Sequence, residues 1–140
     1  MGRKKILLAI DGSEHSHKVL DKSIEFAKLL DAEIVFVYCH KKFPELLGQP
    51  YRDKEISHIL MDTETVVRPF LQRLEKEKIP VEERFMEEPA GKAIATVAEV
   101  EKCEMIIMGS RGLSNLAHLV VGSVTNRVLQ TAHCSVLVVR

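Results

Sequence analysis

Ile6-Leu7-Leu8-Ala9-Ile10-Asp11-Gly12-Ser13 is the stretch on which the fold turns. Five successive apolar residues stopped by Asp-Gly-Ser read as a strand buried on both faces that ends at a turn. Working outward, Val19, Leu20, Ile24, Ala27 and Leu30 recur at three- and four-residue steps between Glu14 and Leu30, an amphipathic helix with Ser13 placed as its N-cap. Ile34 to Tyr38 is a second strand. Lys41 to Arg52 holds Pro44, Gly48 and Pro50 without a sustained period and reads as a loop or excursion. The longest helical pattern puts Ile56, Leu60, Thr63, Val67, Phe70, Leu71 and Leu74 on one face; Pro69 is expected to kink or restart it, and Pro80 to close it. Val81 to Met86 is a weaker third strand, and Pro89-Ala90-Gly91 opens a helix with Ile94, Val97 and Ala98 inward. Met105 to Met108, a short helix from Val124 to Ala132, and Val136 to Val139 complete the series.

Nearly continuous apolar strands alternating with helices imply a parallel sheet covered by helices on both faces and joined by right-handed crossovers. The strand order does not follow from pattern alone. A length of 140 residues with 46% hydrophobic content is that of one domain, here 1–140, with a proper core.

Twenty basic residues balance twenty acidic ones, so the net charge offers no strong attraction for nucleic acid or an anionic membrane. No apolar stretch is long enough to span a bilayer, and Met1-Gly2-Arg3-Lys4-Lys5 runs into a strand instead of a signal peptide, so the expected location is the cytoplasm. Cys39, Cys103 and Cys134 have no C-x-x-C spacing and fit free thiols in a reducing compartment. His15 and His17, two apart on a helix, lack the spacing of a metal pair and read as solvated. His40, His58, His118 and His133 show no ligand-like spacing either.

Open parallel sheets bind ligands beyond the carboxyl ends of their strands. Two such ends stand out. The first strand stops at Asp11-Gly12-Ser13; the fourth stops at Gly109-Ser110-Arg111-Gly112, with Gly122-Ser123 beginning the last helix. Glycines admit close approach, and a helix N-terminus offers free N–H groups, so the pair describes a phosphate cradle. Asp11-Gly12-Ser13 taken alone reads equally as a simple turn. Neither G-x-x-x-x-G-K-[ST] nor G-x-G-x-x-G is present, which excludes a P-loop and a standard dinucleotide-binding fingerprint.

The spacing Gly109-x2-Gly112-x9-Gly122-Ser123 resembles the G-x2-G-x9-G-[ST] signature of the ATP-binding universal stress proteins, and the resemblance runs from Ile10-Asp11-Gly12-Ser13 to Cys134-Ser135-Val136-Leu137-Val138-Val139. It implies a three-layer α/β/α sandwich, Rossmann-like and similar to the adenine nucleotide alpha-hydrolases, with a five-stranded parallel sheet of order 3-2-1-4-5. Carried over residue by residue, it implies that Gly109, Gly112, Gly122 and Ser123 hold phosphates of ATP, ADP or AMP, with Val124 and Thr125 adding contacts. Asp11 would sit beside ribose and phosphates, and the Val37 backbone would meet adenine between Ala9 and Met108. Arg111 either adds positive charge or points to solvent. A carboxylate beside phosphates wants a cation between them, so Asp11 points to Mg²⁺ or Mn²⁺ held through the nucleotide.

Two functions follow: a nucleotide-dependent regulatory module of the stress response that acts on an unknown protein partner, or a slow ATPase or phosphoryl or adenylyl transferase with His118 as the available base. The resemblance also implies a homodimer through the last strand, whose apolar edge carries no charge before Arg140.

Overall fold

The computed structural model describes residues 2–110 and 121–140. β1 (Lys5–Ile10), α1 (Ser16–Leu30), β2 (Glu33–His40), α2 (Tyr51–Lys76), β3 (Val81–Glu87), α3 (Ala90–Val100), β4 (Met105–Gly109), α4 (Ser123–Thr131) and β5 (Ser135–Val139) follow in chain order. The five strands form one parallel sheet of order β3-β2-β1-β4-β5, as the resemblance implied. Ile10 pairs with Tyr38 at the last rung between β1 and β2, and Gly109 pairs with Val139 at the last rung between β4 and β5.

Alternation along each strand sends side chains to two cores. Ile6, Leu8, Ile10, Ile34, Phe36 and Ile107 meet α1 and α2 on one face. Leu7, Val35, Val37, Ile106 and Met108 meet Ile94, Val97 and Ala98 of α3 and Val128 of α4 on the other. The helices thus cover both faces, which is why β1 reads as an unbroken apolar run.

Two local expectations, the start of α2 and the burial of Leu60, are corrected. α2 begins at Tyr51, inside the stretch read as an excursion, and Gln49 secures its start by accepting from the Asp53 N–H at 3.2 Å and donating to the Asp53 carboxylate at 3.0 Å. α2 then runs through Pro69 without restarting. Pro69 and Thr65 both lie on the exposed face, where water can satisfy the carbonyl that a proline leaves without its N–H partner. The buried stripe of α2 contains Ile59, Thr63, Val67, Phe70 and Leu74, whereas Leu60, expected inward, is exposed.

At the amino ends of the strands, charged side chains converge. Lys5 Nζ lies 3.1 Å from Glu101, 3.7 Å from Glu33 and 3.8 Å from Glu82, while Arg84 Nη2 meets Glu101 at 2.8 Å and Glu82 at 3.0 Å. The hydrogen bond from Lys5, and then that from Arg84, hold the Glu101 carboxyl below its ordinary range; the same contacts raise Lys5 and Arg84. A carboxyl depressed by folding contributes stability above its unfolded value, about pH 4.3, and loses it as pH falls through the folded value. The raised cations lose theirs only at strongly alkaline pH. Glu101→Gln is therefore expected to cost roughly 1 kcal/mol at neutral pH and to flatten the loss of stability below about pH 4.5, read from urea midpoints between pH 3 and 7.

Candidate functional site

At the opposite, carboxyl end of the sheet, the ends of β1, β2 and β4 and the starts of α1, α3 and α4 enclose a cavity of about 350 Å³. Crossovers leave β1 for one face and β4 for the other, so a cleft opens between their ends. Ala9, Asp11, Val37, Met108, Gly109, Gly122, Ser123, Val124 and Thr125 all line it, and two loops distant in sequence are thereby joined in one wall. Arg111, Gly112 and His118 lie outside the described residues.

The wall at the start of α4 is built by backbone. Gly122 stands at the N-cap of α4 and has no side chain to cap it, so among the described residues the first N–H groups of the helix have no side-chain acceptor. Thr125 Oγ1 donates to the Gly109 carbonyl at 2.6 Å, and the Gly122 N–H donates to the Ser110 carbonyl at 2.6 Å. These two bonds lock the start of α4 against the end of β4 and aim its positive end at the cavity.

Asp11 organises the facing wall. Its Oδ1 accepts from the Ser13 N–H at 2.9 Å, the Ser13 hydroxyl at 2.6 Å and the Ser16 hydroxyl at 2.8 Å, while Oδ2 takes no donor among the described residues. Ser13 is therefore not the N-cap of α1. His15 holds that position, because the Ser13 hydroxyl is spent on Asp11 and its carbonyl accepts the Ser16 N–H in a preceding turn. Gly12 completes the turn at φ +84°, and a Cβ there would meet Val66 Cγ1 at 2.7 Å, so only glycine fits.

Val37 lines the cavity. Its backbone, expected to face the ligand, lies inside the ladder between Ala9 and Arg84. Tyr38 pairs with Ile10 at the last rung and Cys39 lies past it, beyond the β1 ladder; the two form the rim, and both line the cavity. Burial, and secondarily the Asp11 charge, raise the Tyr38 hydroxyl; burial, and then Glu88, push the Cys39 thiol up to about 11. Cys39 thus stays protonated at neutral pH.

Sequence reasoning also missed His15, Ser16, Lys41, Glu88 and Ala90, all of which line the cavity. Of the two histidines read as solvated, His15 is half-buried with Nε2 2.7 Å from the Val139 carbonyl, whereas His17 is exposed, as read, with one ring face stacked on Phe70 at a centroid distance of 4.9 Å. Among the described residues, no group of three or more His, Cys, Asp or Glu is placed to hold a metal ion, and no helix is long and apolar enough to cross a membrane.

The model of the universal stress protein family matches residues 2–140. The chain belongs to that family. It is 31% identical to universal stress protein MJ0531 of Methanocaldococcus jannaschii over 98% of this chain and 82% of the relative. It is 32% identical to a universal stress protein of Thermus aquaticus over 98% of each. The solved structure of hypothetical protein MJ0577 superposes with a TM-score of 0.87 at 25% identity, covering 99% of this chain and 96% of that one. Two further universal stress proteins share the fold while carrying ligands. One is a complex with cAMP, with a TM-score of 0.72 at 20% identity over 100% of this chain and 98% of that one. The other, from Archaeoglobus fulgidus, is a complex with dAMP, with a TM-score of 0.61 at 18% identity over 99% and 98%.

Proposed function

We propose that this universal stress protein binds an adenine nucleotide, ATP or its products ADP and AMP, in the cavity and acts in the cytoplasm as a nucleotide-dependent regulatory module of the stress response. The observation that carries the reading is the N-terminus of α4, which faces the cavity with a glycine at its N-cap and no side-chain cap among the described residues, and whose backbone N–H groups suit an anion. The complexes of related folds with cAMP and dAMP agree with it. Phosphates would lie on Gly109, Gly112 and Gly122-Ser123, with Val124 and Thr125 contributing backbone N–H groups. The base would lie between Ala9, Val37 and Met108, with the rim at Tyr38 and Cys39 as its polar edge. Asp11 Oδ2 is the oxygen left to face ribose or a Mg²⁺ or Mn²⁺ ion whose remaining ligands come from phosphate oxygens and water.

Calorimetry tests the reading. ATP is expected to bind at millimolar concentration or below, and mass spectrometry of the denatured protein is expected to detect released adenine nucleotide. A flat titration with ATP, ADP and AMP alike would end it. Turnover without a partner is expected below about 1 s⁻¹, because the glycine motif provides phosphate contacts without a placed general base.

The same reading includes a homodimer through β5, the edge strand of the sheet. Val136 to Val139 are half-buried in the single chain, and antiparallel pairing of two copies about a two-fold axis would fill the open ladder. Val138→Lys is expected to convert the dimer to a monomer by light scattering at micromolar protein. A wild-type mass of about one chain would refute the dimer.

A further inference from the structure

The bond between His15 and Val139 ties the cavity to the edge of the sheet. His15 is half-buried at the N-cap of α1, and its Nε2 lies 2.7 Å from the Val139 oxygen. A carbonyl only accepts, so Nε2 is the protonated ring nitrogen. The same oxygen accepts the Ser110 N–H at 2.8 Å, and the Ser110 carbonyl accepts the Gly122 N–H at 2.6 Å. Both lone pairs of the Val139 carbonyl are thereby used, one by the cavity wall and one by the segment that leads away from β4.

The place of His15 along the cavity gives this bond a use. β5 lies three strand spacings from β2 in the sheet, about 14 Å at ~4.8 Å per spacing. A base seated at the rim of β2 therefore directs its phosphate chain across β1 and β4 toward His15. A phosphate oxygen is an anionic acceptor and competes with a neutral carbonyl for the same N–H.

We propose that His15 is a positioning residue that reads the outer phosphates of the bound nucleotide and reports their presence to β5. When a β- or γ-phosphate oxygen takes the Nε2–H, the Val139 carbonyl is released and keeps only the Ser110 N–H. The last rung of β5 thus differs between a triphosphate and a monophosphate state. This inference rests on the nucleotide reading above.

The test uses the full chain, labelled with ¹⁵N and followed by NMR. ATP is expected to shift the Arg140 amide, whose peptide contains the Val139 carbonyl, together with the Ser110 amide and the ring nitrogens of His15. AMP is expected to bind without those shifts. His15→Ala should lower ATP affinity about tenfold, leave AMP affinity within twofold and abolish the response at β5; His15→Gln, which keeps a side-chain N–H, should restore part of both. The inference is overturned if AMP and ATP give the same β5 response in the wild-type protein, a comparison that needs no variant to fold. It is equally overturned if His15→Ala binds ATP as the wild type does. Wild-type protein that binds neither nucleotide removes the nucleotide reading together with this one, so the two failures are distinguishable.

Discussion

Gly122→Val is expected to abolish the stabilisation proposed for ATP on the wild-type protein while leaving the ligand-free protein folded. At a ligand concentration a hundredfold above Kd, binding adds about 2.7 kcal/mol to the unfolding free energy, or roughly 5–10 °C for a chain of this size. Gly122 has φ −72° and ψ 165°, an extended conformation that valine adopts readily, and its hydrogen bond to Ser110 uses only the backbone N–H. The fold therefore does not need glycine there for its dihedral angles. The proposed phosphate site does need it, because a branched side chain would occupy the space in front of the first N–H groups of α4. Differential scanning fluorimetry with and without ATP measures the effect directly. A variant that keeps the full ATP shift would place the phosphates elsewhere.

Phe36→Ala is expected to produce the larger loss of intrinsic stability, about 3–5 kcal/mol and roughly 10 °C in Tm. Phe36 is fully buried in the middle of β2, in the core shared with α1 and α2. Its backbone pairs with Leu8 on one side and Glu83 on the other, so the strand cannot move inward to fill the space that the ring leaves. Urea unfolding at neutral pH checks the figure, and a cost below about 1.5 kcal/mol would mean that the helices collapse onto the sheet.

The elements of the fold were legible in the sequence wherever one physical signal dominated. β1 and β4 are buried on both faces, and nothing in their composition competes with that reading. The strand order was supplied by resemblance, because periodicity records which face is buried and not which strand is adjacent. The misreadings share a cause. Ser13 carries every local mark of a cap, but the Asp11 carboxylate, two residues earlier, is the better partner for its hydroxyl. His15 and His17 do point to different sides of α1, as their spacing requires. His15 faces the cavity and β5, neighbours that are not near in sequence, and only it departs from the solvated reading; His17 stays exposed beside Phe70 of α2. The exposure of Leu60 follows from the helical phase of α2, which spacing left a single residue out of register.

Nine of the expected site residues line the cavity because glycine spacing and strand ends mark the backbone. Side chains arriving from other elements, Lys41, Glu88 and Ala90 among them, carried no motif. They are brought in by the crossing of helices and strands and have no spacing to betray them.

The ionic cluster around Lys5 and Glu101 lies at the amino ends of the strands, and the cavity lies at their carboxyl ends. Groups separated by the length of a strand act nearly independently on free energy. In evolutionary terms, the two ends of the sheet are free to drift on separate clocks. A lineage can reshape the cavity for a new ligand while the salt-bridged end keeps the strands in register, and substitutions that harden that end against heat leave the chemistry of the other untouched.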